Sequence, residues 1–222
     1  MEKALLLTHA FAGFITLITG IAAMLSPKKL NVHKPAGNIF YYAMWYVVIS
    51  AFVLCYLKSN VFLFLVGTLT FYTNVTGLQS LKLYKSKSPK VNFKHWLPWI
   101  VTMLFLIACQ YLVISKYGFK WEGAFVVINV FTIILFVNLL QDLGFLLGKK
   151  QDKKGFLVAH VGKMGGTFIA AITAALVQNV DTNPMWIAWL APTALVSPIL
   201  AYNSARIRKG TFWRKKASTL KV

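Results

Sequence analysis

An α-helix needs about 20 consecutive apolar residues to cross the hydrocarbon of a bilayer. This chain contains seven such stretches, at roughly 4–26, 37–57, 60–82, 96–116, 122–147, 157–179 and 185–205. In lipid every backbone N–H and C=O must be satisfied within the segment, so such stretches become helices. The expected architecture is all-α: a polytopic membrane bundle of seven transmembrane helices, one integral membrane domain over 1–222, with a basic tail at 206–222. Pro192 and Pro198 interrupt the seventh stretch, and proline inside a membrane helix kinks it while neighbours satisfy the freed carbonyls. The first stretch is long and is followed by Pro27, Lys28 and Lys29, so it reads as a retained span rather than a cleaved signal peptide.

Charge follows the same plan. Lys and Arg number 24 against 5 acids, a formal charge of +19. A nucleic-acid binder of that charge needs a soluble basic face, and the spans leave almost no chain to build one. The basic residues fall in alternate connections: Lys28, Lys29 and Lys34; Lys85, Lys87, Lys90 and Lys94; Lys149, Lys150, Lys153 and Lys154; and Arg206, Arg208, Lys209, Arg214, Lys215, Lys216 and Lys221 in the tail. The other connections hold only Lys58, then Lys116, Lys120 and Glu122, then Asp181. By the positive-inside rule, the N-terminus is expected outside and the C-terminus in the cytoplasm. The basic side would also attract anionic lipid headgroups, at about 1 kcal/mol per residue near the surface. Trp96, Trp99, Trp121, Trp186, Trp189 and Trp213 lie near span ends, and Tyr41, Tyr42, Trp45 and Tyr46 crowd one end of the second helix. Such positions suit interfacial anchors and packing. Cys55 and Cys109 sit inside apolar runs as small hydrophobes, bridgeable only if their helices pack side by side.

Polar groups inside the hydrocarbon are costly, so they mark candidate sites. Asp142 and Lys163 are the sharpest pair: each lies about 8–9 Å below the expected inner boundary at 1.5 Å per residue. The short loop between the fifth and sixth helices makes those helices expected neighbours. Side chains lean toward a helix's N-terminus, so Lys163 can snorkel to the inner surface, whereas Asp142 points deeper and needs either a partner, Lys163 or His160, or a protonated state. His160, Lys163, Met164 and Thr167 share one helical face, as do Tyr72, Thr76 and Gln79 in the third helix. Asn138, Gln141 and Asp142 are placed on one face of the fifth helix. These sets would line a polar inner vestibule or hydrogen-bond between helices. His33, His95 and His160 start the inside-to-outside helices, and His9 lies near the outer end of the first. A helix N-terminus disfavours added positive charge and so favours neutral imidazole, the form that ligates haem iron or a divalent metal. Gly13 and Gly20, with Gly162, Gly165 and Gly166, suggest close helix approach.

No phosphate-binding loop, zinc-protease or nucleophile-elbow signature is present, so nothing points to a particular enzyme reaction. Seven-span metal hydrolases related to ceramidases and progestin-type receptors are similar in span count. They carry His-x3-His in the last helix, and retinal proteins need a lysine there; this last helix has neither. The run from Thr8 to Ile15, the second-helix start His33-Lys34-Pro35-Ala36-Gly37, and Phe71-Tyr72-x3-Thr76-Gly77-x2-Ser80-Leu81 together resemble a family of bacterial multi-pass membrane proteins, a membrane domain of unknown function. The resemblance covers about the first 85 residues. It implies the bacterial cytoplasmic membrane and brings no catalytic residues. Three functions stay open: a haem- or metal-binding, electron-transferring protein using His160, His95, His33 and His9; a small-solute or proton transporter built on Asp142, Lys163, Gln79, Gln141 and Asn138; and an accessory membrane protein whose polar residues only pack.

Overall fold

The computed structural model describes residues 2–26, 31–120, 124–148, 152–184 and 186–212. Pro27, Lys28, Lys29, Trp121, Glu122, Lys149, Lys150, Trp213, Arg214, Lys215, Lys216 and Lys221 lie outside them. Among the described residues seven helices follow in order: α1 Glu2–Leu25, α2 His33–Lys58, α3 Val61–Lys85, α4 Phe93–Tyr117, α5 Ala124–Leu146, α6 Lys153–Asn179 and α7 Trp186–Arg208. No strand occurs among the described residues. Most of the helices overrun the apolar stretches by a few residues because polar caps, not hydropathy, set their ends. Asn60 accepts from the N–H of Leu63 to start α3, and Asp152 accepts from that of Gly155 to start α6. Gly118, at φ 70°, stops α4 in a backbone conformation that favours glycine.

α1 and α2 form a close antiparallel hairpin. α3 is the central helix, packed against α2, α4, α5 and α6, while α6 also packs on α1 and α7. The centre is the polar part. Thr68, Thr70, Thr73, Asn74, Thr76 and Ser80 of α3 are all buried. The hydroxyls of Thr68, Thr70, Thr73, Thr76 and Ser80 donate to the carbonyls four residues back in their own helix. Their polarity is thus satisfied locally, and their small size lets neighbours approach. Leu65, Leu69 and Tyr72 of α3 interlock with Leu135 and Leu139 of α5 and with Leu106 and Cys109 of α4. Both cysteines are free thiols.

Large apolar side chains cover the outside: Leu7, Phe11 and Phe14 of α1, Leu104 and Ile107 of α4, Ile133 and Phe136 of α5 are exposed. An apolar exterior around a polar, internally bonded centre is what lipid demands and water forbids. Six helices, α1 to α6, are long and apolar enough to cross a membrane. α7 is not among them: Pro192, Thr193, Ser197, Pro198, Tyr202 and Asn203 dilute its apolarity, although its 23 residues give about 35 Å of helix. The chain therefore folds as a multi-pass, membrane-type helical bundle.

Several expectations need correction. The backbones of α5 and α6 do not touch; both pack on α3, and α5 meets α6 through side chains such as the rings of Phe145 and Phe156, 5.1 Å apart. A short loop joins helix ends but does not oblige the helices to lie together. Two of the five glycines sit where a Cβ would collide: Gly20, 2.4 Å from the ring of Phe168, and Gly165, 2.4 Å from Leu200. Gly13, Gly162 and Gly166 face open space, with nothing within 4 Å of an added Cβ.

Candidate functional site

Asp142 is four residues from the end of α5, on the face that also carries the buried Leu135, Leu139 and Leu146. Its Oδ2 receives two donors, the Nζ of Lys163 from α6 and the phenol of Tyr72 from α3. The side chains of Lys163 and Asp142 are 9% and 15% exposed, so the ion pair is largely out of water. Lys163 does not snorkel. Its ammonium stays level with the carboxylate and lies 5.1 Å from the centroid of the Tyr72 ring. An ammonium that meets a carboxylate and an aromatic face is compensated without travelling to the surface.

The three groups form part of the wall of a small cavity whose other polar lining is Thr76, Gln79, Ser80 and His95. Its free volume is about 10 Å³, in a measure where a single water needs about 10–15 Å³, so it admits one water at most. The cavity lies at the end of the bundle where α3 and α5 finish and α4 and α6 begin. Lys34, Lys82, Lys85, Lys87, Lys90, Lys94, Lys153, Lys154, Arg206, Arg208 and Lys209 all belong to this end, with Asp152 as the acid among the described residues. The opposite end has Glu2, Lys3, Lys58, Lys116, Lys120 and Asp181.

Gln79 is held by a proline. Pro98 has no N–H to give the carbonyl of Lys94, four residues earlier in α4. That carbonyl accepts instead from Nε2 of Gln79 at 2.8 Å. Trp99 donates from Nε1 to the carbonyl of Leu139 at 2.9 Å, which fastens the same part of α4 to α5. His95, third residue of α4, is thereby fixed at the cavity. It completes a capping box: Nδ1 accepts from the Asn92 N–H at 3.1 Å and stands 2.8 Å from Asn92 Oδ1.

The structure thus brings Asp142, Lys163, Gln79 and His95 to one cavity. The other candidates lie apart from it. Gln141 is exposed, about 100° round α5 from Asp142. Asn138 donates to the carbonyl of Ile134 in its own helix. His160 meets the carbonyl of Gly77 at 2.9 Å, His33 that of Ala23 at 2.7 Å, and His9 the hydroxyl of Ser50 at 2.7 Å near the other end. A carbonyl only accepts, so Nδ1 of His160 and of His33 carries the proton. No group of three or more His, Cys, Asp or Glu that could hold a metal occurs among the described residues.

Tyr72 and Ser80 stood in the sequence as members of polar helix-three motifs. Their role at Asp142 and in the cavity wall was not readable there, because it depends on which face of α3 meets α5. The same holds for Thr73 and Thr167, whose hydroxyls join α3 to α6 at 2.8 Å. Compared with models of protein families, with curated proteins and with solved structures, the chain matches none. The resemblance over the first 85 residues therefore adds nothing to the site.

Proposed function

We propose that this is a seven-span membrane protein that moves protons, or a small solute together with protons, through the centre formed by Asp142, Lys163 and Tyr72. One observation carries the reading: a carboxylate within a membrane-type bundle takes an ammonium and a phenol on one oxygen, beside a water-sized polar cavity at the basic end. Ionisable groups at such depth are expensive and mark proton and ion pathways. The pair is neutral as a unit. A proton arriving at Asp142 cancels the charge that compensates Lys163, so the pair must rearrange or pass the charge on.

The reading takes α7 as the seventh span, the N-terminus as external and the basic end as cytoplasmic, by the positive-inside rule. A bacterial cytoplasmic membrane enters on the sequence resemblance alone. Anionic headgroups would meet the basic end.

The test is proton flux. Purified protein in liposomes, with a potassium diffusion potential and a pH dye inside, is expected to conduct protons above protein-free vesicles. Asp142→Asn is expected to lower that rate by about a hundredfold, the scale of losing a positioned proton-transfer group. A wild-type rate equal to that of empty vesicles, or an unchanged rate in Asp142→Asn, overturns the proposal.

A further inference from the structure

Besides closing the capping box of α4, His95 faces the cavity that holds Asp142 and Lys163. We propose that His95 is the residue through which protons pass between the Asp142–Lys163 centre and the water at the basic end; this rests on the proton-moving reading above. Three observations support it. His95 lines the cavity and is half-buried, so part of it is open to solvent. Its position is over-determined: Gln79 holds the carbonyl of Lys94 beside it, and Trp99 fastens the next turn to α5. Its Nδ1 is occupied by Asn92, whose N–H lies 3.1 Å and whose Oδ1 lies 2.8 Å away, which leaves Nε2 as the ring nitrogen that can exchange a proton.

The titratable groups sharing the cavity with His95 are Tyr72 from α3, Asp142 from α5 and Lys163 from α6, with Lys94 next to it in α4. In the inward-to-centre direction, the imidazolium gives its Nε2 proton to a cavity water, which gives one to the carboxylate of Asp142, while Nδ1–H stays on Asn92 Oδ1. The neutral imidazole then takes another from bulk water. No bond other than O–H and N–H changes, and each proton given is one received. The cavity's volume of about 10 Å³ is at the threshold for the single water such a step uses.

Gln is the matched control, because Gln at this position of a capping box also accepts from the cap N–H but cannot carry a proton. In the liposome assay, His95→Gln is expected to melt within a few degrees of wild type and to lose about tenfold or more of the flux, recovered in part by millimolar imidazole. The pH dependence of its residual flux is expected to flatten relative to wild type, because the variant has no imidazole to gain and lose a proton. Flux that requires Asp142 but is unchanged in His95→Gln overturns the relay and leaves the centre standing. Flux lost in His95→Gln without imidazole rescue or altered pH profile also overturns it, because a structural role then suffices. Wild-type flux no greater than that of empty vesicles overturns the proton-moving reading itself.

Discussion

Replacing Lys163 with Met removes the ammonium while keeping most of the side chain's volume. Asp142, 15% exposed, is then left with the phenol of Tyr72 as its donor. Stranding one member of a buried ion pair costs about 3–5 kcal/mol. The carboxylate has an escape, which is to bind a proton. That costs about 1.36 kcal/mol for each pH unit above the ordinary carboxyl value near 3.9, hence about 4 kcal/mol at pH 7 and about 1.5 at pH 5. The smaller of the two costs applies, so Lys163→Met is expected to lose about 3–4 kcal/mol at pH 7 and only about 1.5 at pH 5. Asp142→Asn strands the opposite charge. Losing the ammonium's proton becomes harder as pH falls, so its penalty must not shrink on acidification. The double variant carries neither charge and should lose about 1 kcal/mol, the worth of ordinary hydrogen bonds. The assay is reversible unfolding in mixed micelles of a mild detergent and dodecyl sulfate, between pH 5 and 8. A Lys163→Met penalty below about 1 kcal/mol at pH 7, or equal penalties at pH 5 and 7, refutes the claim that the pair is buried and charged.

Gly20→Ala drives a Cβ to 2.4 Å from the buried ring of Phe168, so it should cost about 1–3 kcal/mol by overpacking, read as a lowered melting temperature in detergent. Gly13→Ala, which meets nothing within 4 Å, should be neutral or gain about 0.5–1 kcal/mol in the same measurement. Single cysteines at Lys87 and Lys209, in a background lacking Cys55 and Cys109, should label from one side of sealed vesicles, and one at Lys58 from the other. Labelling of 87 and 209 from opposite sides would remove α7 as a span.

Six of the seven expected spans were legible because hydropathy over 20 residues depends on composition, not on neighbours; α7 falls short of that measure. The need of Asp142 for a partner was equally legible: a short carboxylate at that depth cannot reach water. What the sequence could not convey was geometry set by third parties. Lys163 was free to snorkel by length and direction, but Asp142 and the Tyr72 ring offer compensation at closer range. A short loop points to α5 and α6 as neighbours, whereas α3 meets both. Gln79 belonged to a polar stripe, yet its amide is engaged by the carbonyl that Pro98 leaves open. That link does follow from a proline rule, but only once α3 and α4 are known to be in register there. Gly13, Gly162 and Gly166 carry the same spacing signal as Gly20 and Gly165 and face nothing, because spacing says where a small residue is permitted, not which side a neighbour takes.

The position of the centre follows from which helix the bundle surrounds. A helix exposed to lipid on most of its circumference must be apolar there, so only an enclosed helix can hold many hydroxyls and an amide. α3 is that helix, and its Thr and Ser side chains satisfy themselves on their own carbonyls. Burying them therefore costs little and allows α5 and α6 to approach from two sides. Only there can a side chain from α5 and one from α6 meet without either crossing lipid, and Tyr72, projecting from α3 at that level, supplies the second donor to the carboxylate. An ion pair formed on any of the outer faces would be open to lipid on one side, with one oxygen or one N–H unpaired. The polar composition of α3 and the charges of Asp142 and Lys163 are thus parts of one requirement, that a membrane bundle keep its polar chemistry on the helix that no lipid surrounds.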